Sequence, residues 1–256
     1  MTAPKLSLTA LPDVPEVRPG DDLAALILAG VARAGEQLGD GDIVVLAQKI
    51  VSKAEGRYVR LAHVTPSTRA KELAQAARKD PRVVELMLQE SREVVRHRPD
   101  VIVVEHRLGF VLANAGIDAS NLEPAGEDER VLLLPRDPDG SAAAIRDRLQ
   151  KATGASLGVI INDSLGRAWR NGTVGTALGA SGLPTLLDLR GKPDRHGRTL
   201  RSTEVGVADE VAAAASLLMG QAAEGRPIVV VRGFPYPLGD GSGQELVRPR
   251  HLDMFR

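Results

Sequence analysis

The stretch "LGVIINDSLGRAWRN", residues 157–171, decides how the rest of the chain is read. Its first five residues form a short apolar run rich in β-branched side chains, which predicts a buried strand. The next ten carry a carboxylate, a hydroxyl, a glycine, two arginines and the chain's only tryptophan, Trp169. This abrupt change predicts that Asp163 sits just beyond the strand's carboxyl end. In open α/β sheets that rim is where ligands bind, because the strand fixes the backbone and the following loop carries the chemistry.

Working outward, strand and helix signals alternate, so the predicted class is α/β. "DDLAALILAGVARAG" (residues 21–35) has helical spacing and ends on glycine. Residues 42–47 read as a buried strand running into the polar segment "QKIVSKAEGR". "TPSTRAKELAQAARK" and "DPRVVELMLQESREVVR" read as two helices, capped by Thr65 and Asp80, each with proline at the first helical position. "VIVVEH" and "LGFVLANAG" read as a strand pair, and residues 131–135 as a further strand. "DPDGSAAAIRDRLQKATG" predicts a helix ending at Gly154, residues 207–220 a late Ala-rich helix, and "PIVVVRG" a last core strand. No linker divides residues 1–256, and residues 234–256 read as a tail rich in Gly, Pro and Arg.

Composition narrows the function classes. Basic and acidic residues number 33 each, so no global field favours nucleic acid or an anionic membrane, and any anion site is local. The absence of cysteine excludes disulfides and thiolate metal sites and fits a cytoplasmic protein. No apolar run approaches the ~18 residues of a membrane span, and the opening residues lack a signal-peptide pattern. Aromatics are 2% of the chain, leaving Trp169, Tyr58 and Phe110 as the few stacking candidates, each more often a core residue.

"NAGIDASN" (residues 114–121) also follows an apolar strand and sets a second carboxylate, Asp118, among small residues. Two such aspartates, joined by Ser164 or Asn121, make a hard oxygen site for Mg²⁺ or Mn²⁺. Taken singly, each aspartate more commonly caps a turn or helix. Arg167 and Arg170 flank Trp169 and precede Asn171, a cluster suited to phosphate or carboxylate. Lys49, Lys53 and Arg57 follow another buried strand, although a solvated face would explain them equally well. Carboxylates beside cations equip a protein for phosphoryl transfer, yet neither a Walker A motif nor a Rossmann fingerprint is present. The residues alone lead to metal-assisted phosphate chemistry in an α/β fold.

Several long blocks go further. "GDIVVLAQKIVSKAEGR", "NAGIDASN", "LLPRDPDGSA", "GVIINDSLGRAWRNGTVGTALGASG", "TEVGVADEVAAAASLLMGQ" and "PIVVVRG" resemble, in order, the coenzyme F420:L-glutamate ligase family. The resemblance implies a two-part mixed α/β fold that pairs as an intertwined homodimer. It also implies a GTP-dependent enzyme that adds L-glutamate to coenzyme F420-0 through an acyl phosphate, releasing GDP and phosphate. Two divalent ions, Mg²⁺ or Mn²⁺, and K⁺ are the implied cations. Carried over by motif, the metal ligands fall on Asp118, Asp163, Ser164 and Gln221. The nucleotide contacts fall on Leu11, Pro12, Asp13 and Val14, on Gln48, Lys49 and Lys53, on Asn121, and on Met219, Gly220, Gln221, Ala222, Ala223, Glu224, Gly225 and Arg226. Asp163, Asp118, Arg167 and Arg170 are the catalytic candidates. Gln221 stands where archaeal members carry Glu, which removes an anionic ligand, and Gln48-Lys49 replaces a Ser-Thr pair. The carboxyl-end stretch "GQELVRPRHLDMFR" resembles the junction at which actinobacterial members continue into a flavin-binding domain. A metal-dependent phosphohydrolase and a nucleotide-binding module without turnover are the alternatives from other classes.

Overall fold

A computed structural model describes residues 3–119 and 129–255. In chain order the elements are β1 (Ser7–Ala10), α1 (Leu23–Arg33), β2 (Ile43–Ala47), α2 (Gln48–Ala54), β3 (Tyr58–Arg60), α3 (Thr68–Ala77), α4 (Pro81–Gln89) and β4 (Ser91–Arg98). There follow β5 (Val101–His106), β6 (Val111–Ala113), β7 (Arg130–Leu132), α5 (Pro138–Thr153), β8 (Gly158–Arg167), β9 (Arg170–Ser181), β10 (Leu187–Asp188), β11 (Glu204–Val205), α6 (Val207–Met219) and β12 (Ile228–Arg232). The class is mixed α/β, as expected.

The main sheet has the order β1-β12-β2-β8-β9, in which β2 and β8 run parallel and the other neighbours antiparallel. Alternate residues of its central strands go to opposite faces. Val44, Leu46, Val159, Ile161, Ile228 and Val230 pack with α1 and α5, through Ile27, Val31, Ile145 and Leu149. Ile43, Val45, Ile160, Val229 and Val231 pack with Ala208, Ala212 and Ala215 of α6. Burial on both faces explains why these strands read as unbroken apolar runs. The Ala-rich face of α6 lets β9 approach closely: a Cβ on Gly175 would lie 2.4 Å from the Ala212 carbonyl oxygen.

A smaller core lies between β2 and β8 in sequence. Ala70, Ala74 and Ala77 of α3 and Val84 and Met87 of α4 cover Ile102 and Val104 of the β4-β5-β6 sheet. Glu90, at the end of α4, accepts hydrogen bonds from Arg57 at 2.9 Å and Arg107 at 3.1 Å, and Arg57 also donates to the Leu134 carbonyl at 2.8 Å. Burial would raise the Glu90 carboxyl, but His106, Arg57 and Arg107 outweigh it and hold it down at about 2. The buried His106 Nε2 stands 3.6 Å from Glu90, outside hydrogen-bond reach, so its influence is electrostatic.

Four local expectations need correction. Helix α3 starts at Thr68 and is capped by Ser67, not Thr65, because the Ser67 hydroxyl accepts from the Ala70 N–H at 3.2 Å. Residues 91–96, expected to prolong the second helix, belong to β4, where pairing with β5 overrides local helical spacing. The polar segment after β2 is the helix α2. Asp163 does not lie beyond its strand: β8 continues through it to Arg167 as one arm of a hairpin with β9. The caps at Asp22, Asp80 and Asp137 and the left-handed Gly154 at the end of α5 follow their sequence signals.

Candidate active site

A cavity of about 640 Å³ opens at the carboxyl end of β2, where its parallel pairing with β8 stops at Ala47 and Asn162. Strand β2 hands over to α2, whose Gln48, Lys49 and Lys53 line one wall. Across the sheet, Ala47 pairs with Asn162, and the shift in register between Ile161 and Asn162 falls at the cavity rim. Such irregularities re-aim side chains near functional sites. Asn162 turns toward α6, donating to Ser216 Oγ at 3.1 Å, and Asp163 therefore faces the opposite side of the sheet.

There Asp163 meets Asp118. The Asp118 backbone is fixed by two hydrogen bonds with Leu132, at 2.9 and 2.8 Å, and Lys49 Nζ lies 2.6 Å from its carboxylate. Burial pushes the Asp163 carboxyl up to about 6; the Ser164 N–H, 2.7 Å away, opposes this, the Asp118 charge adds to it, and Lys49 subtracts. Ser164 Oγ donates to Gln221 Oε1 at 2.7 Å, tying β8 to the segment after α6. That segment turns at Gly220 (φ 74°), where a Cβ would collide with the Glu224 side chain. The Ala222 N–H donates to Glu224 at 2.8 Å and holds its carboxyl below the ordinary value.

The structure thus brings Asp118, Asp163, Ser164, Gln48, Lys49 and Lys53 to one cavity, together with Met219, Gly220, Gln221, Ala222, Ala223, Glu224, Gly225 and Arg226. Val14 joins them, but Leu11 is buried in the core, and Pro12 and Asp13 turn their carbonyls to Arg33. Arg167 and Arg170 lie at the exposed end of the β8–β9 hairpin, outside the cavity lining, beside Trp169 at 88% exposure. Asn121 lies outside the described residues. Two polar cavity residues escaped the sequence reading. Glu16 pairs with the buried Lys53, and Asn162 is buried with an amide oxygen that accepts no hydrogen bond among the described residues. Asn162 was legible as the polar residue ending the apolar run; Glu16 had no comparable signal.

Asp118, Asp163, Ser164 and Gln221 all present oxygen at this cavity. That set fits a hard divalent ion. No group of three or more carboxylates or histidines forms among the described residues, so such an ion would rely on neutral donors beside the two aspartates.

A profile of the family described as F420-0:gamma-glutamyl ligase matches residues 13–233. The chain belongs to that family. The coenzyme F420:L-glutamate ligase of Methanothermobacter thermautotrophicus is 50% identical over 253 residues, covering 98% of this chain and 99% of its own. The Methanopyrus kandleri protein of the same name is 45% identical over 257 residues, covering 99% and 98%, and that of Archaeoglobus fulgidus 44% over 243 residues, covering 95% and 93%. For a member of the F420-0:gamma-glutamyl ligase family, the 13–233 match spans every strand from β2 to β12 and therefore the whole cavity. No helix among the described residues is long and apolar enough to cross a membrane.

Proposed function

We propose that this chain is a GTP- and divalent-metal-dependent ligase that joins L-glutamate to coenzyme F420-0. The observation that carries the reading is the cavity itself: two aspartates and neutral oxygen donors share it with Lys49, Lys53 and Arg226, at the end of β2 and the middle of β8. This is equipment for binding a polyphosphate and neutralising its charge. The names of the relatives supply the coenzyme and L-glutamate, and the polyphosphate equipment of the cavity is what favours GTP as the third substrate.

In the proposed reaction the precursor's terminal carboxylate attacks the γ-phosphorus, GDP departs, and an acyl phosphate results. The glutamate amine then attacks the acyl carbon, the bond to phosphate breaks, and inorganic phosphate and a proton are released. Asp118, Asp163, Ser164 and Gln221 would hold Mg²⁺ or Mn²⁺, which supplies charge neutralisation along the phosphates. Lys53, almost buried, offers a fixed positive charge, and the segment 219–226 closes around the nucleotide. The reading includes pairing of two copies, to which Trp169, exposed at the hairpin end, offers one apolar side chain.

The test is a product-mass assay with GTP, Mn²⁺ or Mg²⁺, L-glutamate and F420-0, omitting one at a time. A gain of glutamyl mass that needs all four, and that disappears in Asp118→Asn and Asp163→Asn, is expected. Phosphate release without that gain would favour the phosphohydrolase, and no reaction a binding module.

A further inference from the structure

Beside the main cavity lies a second, of about 190 Å³, lined by Glu16, Val17, Arg18, Pro19, Tyr58 and Arg130. Glu16 and Val17 line both, so these two residues stand between the two spaces, and Glu16 pairs with Lys53 of the main cavity. The smaller one has room for roughly six waters at ~30 Å³ each, enough for a compact amino acid but not for a nucleotide or a tricyclic ring.

Two guanidiniums line it, and neither Arg18 nor Arg130 engages a carboxylate through its side chain among the described residues; the Arg130 guanidinium lies 5.7 Å over the Tyr58 ring. A cation–π contact holds the guanidinium near the ring while leaving its N–H groups to donate to a carboxylate. Glu16, about half exposed, supplies one negative charge at the mouth toward the main cavity.

We propose that this smaller cavity is the subsite for the amino-acid substrate. Two unpaired arginines and one carboxylate match the two carboxylates and one ammonium of an acidic α-amino acid. The α-amino group would lie at Glu16, on the side of the main cavity where the acyl group is activated, and the two carboxylates against Arg18 and Arg130. The subsite rests on the ligase reading above and names the residues that select its second substrate.

The test measures initial rates of product formation with L-glutamate or L-glutamine varied, for the wild type, Arg18→Gln, Arg130→Gln and Arg130→Lys. Losing one charge-assisted contact should raise KM for L-glutamate at least about tenfold while KM for GTP stays unchanged. In one of the two glutamine variants the preference for L-glutamate over L-glutamine should fall by a similar factor, because the arginine facing the side-chain carboxylate is what rejects the amide. Arg130→Lys should recover part of the loss. Wild-type KM for L-glutamate in both glutamine variants, or an equal loss for GTP, would overturn the subsite and leave the ligase standing. A wild type that forms no product would overturn both.

Discussion

Replacing Asp163 with Asn should make the metal-free protein more stable while removing its activity. Asp163 has its carboxyl raised from 3.8 to about 6, chiefly by burial and with Asp118 adding repulsion. At 1.36 kcal/mol per pH unit, that difference corresponds to a cost of about 3 kcal/mol for ionising it in the folded state. Below pH 3.8 the acid is protonated folded and unfolded, and it costs nothing. The cost grows as pH rises through the interval and is complete above about 6. Asparagine removes the charge, keeps the volume, and retains an acceptor for the Ser164 N–H. The expected gain is therefore roughly 1–3 kcal/mol at pH 7.5, fading to nothing near pH 4. Urea unfolding followed by circular dichroism, with EDTA present and at several pH values, measures it. Adding Mn²⁺ should stabilise the wild type and not the variant. A variant that is less stable at pH 7.5, or a difference that ignores pH, would refute the account of Asp163 as a strained anion kept for its ligand.

Glu90→Gln should destabilise by about 3 kcal/mol at pH 7, from the interval between 4.5 and about 2, and the loss should shrink as pH falls through that range; urea midpoints at pH 7 and pH 3 measure it. Gly179→Ala should cost about 1–3 kcal/mol, because its Cβ would lie 2.3 Å from the Pro138 carbonyl carbon and push α5 off β9; thermal unfolding reads the loss. Lys53→Met should raise KM for GTP about tenfold with little effect on folding, since its partner Glu16 is half exposed and can be solvated; steady-state rates against GTP concentration would show it.

What could be read from the sequence follows from how local each signal is. The central strands and α1, α5 and α6 were legible because an apolar period and a cap act within one segment. The fate of residues 91–96 was not, because the same Val-rich string suits a helix or a strand until β5 is there to pair with it. The aspartates were legible as a pair of strand-adjacent carboxylates among small residues. That Asp163 lies inside a hairpin depends on β9, whose closeness to α6 and α5 relies on Gly175 and Gly179. Arg167 and Arg170 sit in the same block as Asp163, but every residue of an extended strand carries them farther from it, so sharing a block does not bring them to the same cavity. Glu16 and the Tyr58–Arg130 stack depend on a loop meeting a distant strand, which no local pattern encodes.

The strand made last, β12, takes an interior place in the main sheet, between β1 and β2. The amino-terminal strand β1 has no other neighbour, so it waits for a partner at the opposite end of the chain. During synthesis α1, β2, α5 and β8 can gather early, while the half of the sheet holding β1 closes only after residue 232 has emerged. The segment 219–227, which forms a cavity wall, is the lead-in to that closing strand. A growing chain therefore carries both aspartates well before the cavity around them is complete, and its last wall arrives with the closing of the sheet.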